Sequence, residues 1–183
     1  LTSLKYLFEK YNLSIFHAQQ IGTHGGSIRV YAAKKGEFKI SKSVKKILNM
    51  EKKFLNWKNF TKFRYDVVKS KLKLYKMLNN IVKKKEKIYG IGAPSRASTL
   101  INYLGITNEI VQCVCEVEGS YKIGNYMPGT NIPIISEKKL YSDQPKYAML
   151  LSWHISKELI SNLKKNGFKG KFIIPLPMPR IVK

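Results

Sequence analysis

The stretch KIYGIGAPSRASTLINYLG, residues 87–105, decides the fold. An apolar run over 87–92 meets two glycines, Gly90 and Gly92, then Ala93-Pro94-Ser95, and continues into a helical pattern over 95–104. A strand, a tight glycine turn and a helix form the opening unit of an α/β domain. The spacing Gly90-x-Gly92-x-x-Ser95 lacks the third glycine of a dinucleotide fingerprint. Together with Pro94 it argues against ordinary nicotinamide dinucleotide binding.

Downstream the alternation continues. Apolar runs over 109–117, 131–135, 146–152 and 171–176 read as strands, and 136–142 and 155–166 as helices. Asn166-Gly167 closes the last helix. Apolar strands alternating with helices predict a mostly parallel sheet covered on both faces. The fold class is therefore α/β, Rossmann-like over 86–183.

Upstream, 38–85 contains neither proline nor glycine and reads as one short and one long helix, with a break near 57–61. Phe54, Trp57, Phe60 and Phe63 recur at spacing three and are expected in the core. Residues 1–12 read as a short amphipathic helix, and 14–21 and 27–34 as strands of a hairpin joined by Gly22-Thr23-His24-Gly25-Gly26. A hairpin and one helix cannot bury themselves, so this piece must pack on further structure. Three parts result: 1–36, a helical connector over 37–85, and 86–183.

Composition narrows the classes. At 44% hydrophobic residues the 183-residue chain can build a core. No run of 18 apolar residues is present to span a membrane, and the amphipathic start is not a signal peptide. Cys113 and Cys115 read as buried reduced thiols, and the expected location is the cytoplasm. The net charge is +23. Of 34 basic residues only Arg29, Arg64, Arg96 and Arg180 are arginines. Readers of bases and phosphates favour arginine's planar fork, so nucleic acid is not the expected partner.

In an open parallel sheet, ligands bind beyond the carboxyl ends of the strands. The sequence places Gly90, Gly92, Ala93, Pro94, Ser95 and Arg96 after the first strand of the sheet, Glu116 at the end of the second, and Trp153 and His154 after the fourth. Glycines admit backbone N–H groups to a phosphate, Ser95 is positioned to cap the helix, and a helix N-terminus favours anions. An acid at the position of Glu116 takes ribose hydroxyls in nucleotide-binding folds. The bland alternative is a turn that needs glycine only to be tight. His24 is either an acid/base group, its pKa being near neutral, or a loop histidine bonding the backbone. The segment EGSYKIGNYMPGT, 118–130, is either a binding loop whose Tyr121 and Tyr126 stack on a base or sugar, or a structural turn.

Four motifs, THGGSIRVY, YGIGAPSRASTLINYLGI, GNYMPGTNIPI and YAMLLSWH, occur in this order across nearly the whole chain. In this they resemble the C-terminal domain of S-adenosylmethionine-dependent sugar C-methyltransferases. The resemblance implies enzymes that methylate a carbon of a nucleotide-linked deoxy- or keto-sugar. A base removes the proton beside a keto group, and the resulting enolate takes the methyl. It further implies three parts: a zinc-binding N-terminal domain, a methyl-donor domain, and this domain, which helps bind the nucleotide sugar. Residues 1–36 then look like the last helix and closing hairpin of the methyl-donor domain. The donor site, the zinc and the main acid/base motif would lie upstream of Leu1, so the chain alone is expected to be inactive.

Family roles carry over to Gly90, Gly92, Ala93, Pro94, Thr99, Asn102 and Tyr103, and to His24, Gly25, Gly26 and Arg29. Three positions depart: Arg96 stands where lysine is expected, Glu116 where aspartate is, and His154 where asparagine is. The expected substrate-binding set is Gly90, Gly92, Ala93, Pro94, Ser95, Arg96, Thr99, Asn102, Glu116 and Tyr126, with His24 as the catalytic candidate. Two rivals from other classes stand beside this reading: a non-catalytic Rossmann-like interaction module, and a basic nucleic-acid-binding domain.

Overall fold

The computed structural model describes residues 1–183, except that the side chain of His24 lies outside the described residues. The chain divides into two compact units, Leu1–Tyr65 and Asp66–Lys183.

In the first unit, α1 (Thr2–Glu9) leads into an antiparallel hairpin, β1 (Leu13–Ile21) and β2 (Ser27–Lys34). Residues 23–25 turn through a single 3-10 turn. The expected need for a covering element is met by α2 (Lys42–Phe54), whose Val44 and Ile47 bury against Ile15 and Ala18. The break between the long helices falls at 55–56, slightly before the expected place. Asn56 produces it: its Oδ1 accepts the N–H of Asn59 at 3.0 Å and its Nδ2 donates to the Lys53 carbonyl at 2.7 Å. That pair ends one helix and starts α3 (Trp57–Val82).

The expectation of an aromatic core at 54–63 is overturned. Phe54, Trp57, Phe60 and Phe63 are 65%, 84%, 51% and 68% exposed. The break separates Phe54 from the rest. On α3 a spacing of three falls back about 60° per step against the 3.6-residue turn, so the rings spiral off any one face. The buried face of α3 starts only at Ser70 and continues through Leu74, Leu78 and Ile81.

The second unit holds the sheet. Its elements are β3 (Ile88–Ile91), α4 (Ser95–Leu104), β4 (Cys113–Glu116), β5 (Ile134–Ser136), α5 (Lys138–Asp143), β6 (Tyr147–Leu150), α6 (Ser156–Lys165), β7 (Lys171–Ile174) and β8 (Arg180–Val182). The strand order is β5-β4-β3-β6-β7-β8, with β8 antiparallel and all other pairs parallel. This is the expected Rossmann-like α/β sheet. β4 is shorter than the apolar run 109–117, because the N–H groups of Ile110 and Val111 both turn back to the Thr107 carbonyl at 3.0 Å. β8 is an addition that the sequence reading did not contain.

Alternate residues of each strand serve opposite faces. Ile88, Val114, Met149 and Ile173 pack with α3 and α4. Tyr89, Ile91, Leu150 and Phe172 pack with Leu140 of α5 and Leu163 of α6. Cys113 and Cys115 are free, buried and share this second face, as the sequence implied. The hydrogen bond with Cys113, and burial, push the Cys115 thiol up. Among the described residues no helix is long and apolar enough to cross a membrane.

Tyr89 ties β3 to α5: its hydroxyl donates to Asp143 Oδ2 at 2.5 Å. Burial, and then this bond, push the phenol above its ordinary value, and the same bond holds the Asp143 carboxyl low. A phenol that holds its proton more tightly when folded contributes stability below the ordinary tyrosine value of about 10, and that contribution is lost as pH rises beyond it. Tyr89→Phe is expected to flatten the alkaline fall in stability, read by urea unfolding between pH ~9 and ~11. An unchanged slope would show that this phenol does not set it.

Candidate functional site

The carboxyl ends of β3, β4 and β6 meet at one edge, with β3 between its two neighbours. The crossovers change direction there, which is where open α/β sheets open a ligand crevice. At this edge Gly92 has φ +76°, its N–H donates to the Cys115 carbonyl at 2.8 Å, and an added Cβ would lie 3.2 Å from Ser152 Oγ. Backbone and space both call for glycine. Gly90 differs. It is buried inside β3, where a Cβ would lie 2.9 Å from Val114 Cγ2 and 3.1 Å from Leu151 Cδ1. It is a packing glycine, and since the Gly92 N–H is held by the Cys115 carbonyl, the expectation that these glycines carry N–H groups to a ligand is not met.

Ala93 is the hub of the turn. Its N–H donates to Glu116 Oε1 at 2.6 Å, and its carbonyl accepts Lys122 Nζ at 3.0 Å. Lys122 also lies 3.5 Å from Glu116 Oε1. The Glu116 carboxylate thus holds the turn through Oε1 while lining the cleft beside it. Sequence reasoning missed Lys122. Its signal was a lysine inside the tyrosine- and glycine-rich segment 118–130, masked by the general excess of lysine.

α4 starts one residue earlier than a Ser95 cap requires. Pro94 occupies the cap position and its carbonyl accepts the Ala97 N–H at 2.8 Å, while Ser95 is already helical. This corrects the capping role expected of Ser95. Arg96 lies half-buried in the first turn, and Thr99 is exposed. Asn102 is a staple: its Nδ2 donates to the carbonyls of Ser98 at 2.8 Å and Pro128 at 2.9 Å. Gly129, at φ +77°, passes so close that a Cβ would lie 2.4 Å from Asn102 Oδ1.

The segment 118–130 is folded back on itself, with Met127 buried and its N–H donating to Ile132 at 2.9 Å. Tyr121 and Tyr126 remain 87% and 62% exposed. Two clefts flank the turn. One, of about 420 Å³, is lined by Gly92, Ala93, Pro94, Glu116 and Lys122, with Tyr141 and Asn162 beyond. The other, of about 650 Å³, is lined by Ala93, Ser95, Lys122 and Tyr126, with Ser98 and Tyr121. Both are of ligand size. Ala93 and Lys122 belong to both, whereas Gly90, Arg96, Thr99 and Asn102 line neither. His24 and Arg29 belong to the first unit, and Arg29 is exposed.

The arrangement offers a fixed ammonium, a helix N-terminus and two tyrosine rings around a rigid turn. Those are means of holding and orienting an anionic ligand. In sequence, residues 22–177 match the family model of the C-methyltransferase C-terminal domain. The chain is also similar to C-methyltransferase NovU of Streptomyces niveus, with 29% identity over 188 residues. That alignment takes in 100% of this chain but 44% of the relative, so the chain spans less than half of that protein's length.

Proposed function

The chain belongs to the C-methyltransferase C-terminal domain family, and on that premise we propose that its second unit binds the nucleotide end of a nucleotide-linked deoxy- or keto-sugar for an S-adenosylmethionine-dependent C-methyltransferase. The observation that carries this is the Gly92-Ala93-Pro94 turn at the sheet's switch point, with Lys122 fixed between two clefts. A diphosphate is drawn to that ammonium and to the N-terminus of α4. Tyr126 and Tyr121 offer faces for a base or sugar.

S-adenosylmethionine does not fit this turn. Glu116, the residue placed to take ribose hydroxyls, has its Oε1 on the Ala93 N–H, and Ser95 replaces the third glycine. With Glu116 Oε1 engaged in this way, the ligand we propose is a 2′-deoxynucleoside diphosphate such as dTDP. We assign the methyl donor, the zinc and the principal acid/base groups to an upstream catalytic part of a longer cytoplasmic enzyme. His24 is the proposed proton-transfer group within this chain, which is inactive by itself.

Titration calorimetry of the 183-residue chain tests this. Saturable binding of dTDP and none of S-adenosylmethionine is expected, with Lys122→Ala weakening dTDP about tenfold, the usual scale of one charge-assisted contact. Donor binding, methyl transfer by the chain alone, or a Lys122→Ala variant with unchanged dTDP affinity would contradict the assignment.

A further inference from the structure

α3 is apolar on two opposite sides. One, through Leu74, Leu78 and Ile81, is built into the core of the second unit. The other carries Val68, Leu72 and Tyr75, exposed by 44%, 63% and 49%. The spacing of this outer row is 4, 3, and it runs forward along the same helix to Asn79. Taken as a heptad, Leu72 and Asn79 fall at a, and Val68 and Tyr75 at d. This is the spacing of a coiled-coil seam, left exposed among the described residues, and a polar Asn at a is the kind of residue that sets register.

The flanks say what the seam accepts. Lys69 and Lys76 occupy the e positions and Lys71 a g position, while Leu78, at the next g, belongs to the core. Lys71 Nζ donates to the Tyr103 carbonyl at 2.7 Å and lies 4.2 Å from the centre of the Tyr103 ring, which fixes its ammonium against α4. In a parallel pair of identical helices g would face e, and in an antiparallel pair e would face e and g would face g. Each arrangement sets cation against cation, so the flanks oppose a second copy of this chain. They complement carboxylates.

We propose that the outer face of α3 is a docking site for an amphipathic partner helix with apolar residues at a and d and Asp or Glu at e and g. Apolar contact along the row gives the affinity, and the basic flanks give orientation and choice of partner. This surface is separate from the turn at Ala93 and does not depend on the function assigned there.

The test uses the whole chain and two designed peptides with leucine at a and d, one with glutamate and the other with lysine at e and g. Binding is followed by fluorescence anisotropy of the labelled peptides. The glutamate peptide is expected to bind roughly tenfold or more tightly than the lysine peptide. Leu72→Lys, at an exposed position where circular dichroism should remain unchanged, is expected to weaken it about tenfold. Lys69→Glu with Lys76→Glu should invert the preference. Equal binding of the two peptides, or binding of neither, would overturn the proposal. So would a dimer in sedimentation equilibrium that Leu72→Lys dissociates, which would make a second copy the occupant. Capture of the chain by phosphatidylserine vesicles, lost in the same variant, would assign the face to a membrane instead.

Discussion

Phe172→Ala is expected to lower the stability of the chain by about 3–5 kcal/mol, the usual range for emptying a large buried aromatic site. Phe172 is fully buried in β7, packed edge-on against Phe168 at a centroid distance of 5.3 Å and an interplanar angle of 67°. Around it lie Ala148, Leu150 and Leu163, from two further elements of the same face. Small residues cannot collapse into that volume without moving a strand or α6, so the cavity term adds to the lost transfer term. Against a total stability of about 5–15 kcal/mol the loss is large, and urea unfolding measures it directly. Phe172 lines neither cleft, so the folded fraction should keep the dTDP affinity of the parent chain. A loss below about 1 kcal/mol would mean that this face of the sheet is not packed as described.

Gly90→Val is expected to cost about 2–3 kcal/mol, near the top of the range for overpacking a close-packed core. Its first added atom already meets Val114 Cγ2 at 2.9 Å and Leu151 Cδ1 at 3.1 Å, and two further methyl groups have to be placed beyond it. Both neighbours are buried and sit on or just after the strands flanking β3, so relief requires spreading the centre of the sheet. The readout separates the two glycines of the turn sequence. If Gly90 only packs, Gly90→Val lowers the melting temperature while dTDP affinity per folded molecule is retained. Loss of dTDP binding at full stability would return Gly90 to the ligand site.

Much of the second unit was legible because its signals are local. The expected helix 95–104 is recovered residue for residue: Pro94 bars an earlier start and Gly105, at φ +65°, ends it in a left-handed cap. The order of strands and helices follows from alternation alone. What was not legible depends on where side chains go. The run 109–117 reads as strand from end to end, and only the turn at Thr107 decides that its first four residues are not. β8 is three residues following Pro177 and Pro179, too short for any period to register. The rings at 54–63 looked like a core stripe because spacing three is close to 3.6, yet a helix break and the accumulated drift leave them outside.

The site shows the same division. Gly92, Ala93 and Pro94 were visible as a turn, and the sheet edge that holds them follows from parallel topology. The direction of the Glu116 carboxylate was not visible. Nothing in a one-dimensional pattern says whether an acid at the end of a strand reaches the Ala93 N–H, as Glu116 Oε1 does. Lys122 became identifiable only once the fold of 118–130 set its ammonium on the Ala93 carbonyl.

The most direct test of the account is amide chemical-shift mapping of the isotope-labelled chain during titration with dTDP. Saturable shifts concentrated at Gly92, Ala93, Ser95, Arg96 and Lys122 are expected, with residues of the outer face of α3 unaffected. Shifts that cluster away from the carboxyl edge of the sheet, or a turn that S-adenosylmethionine perturbs as strongly as dTDP does, would contradict it.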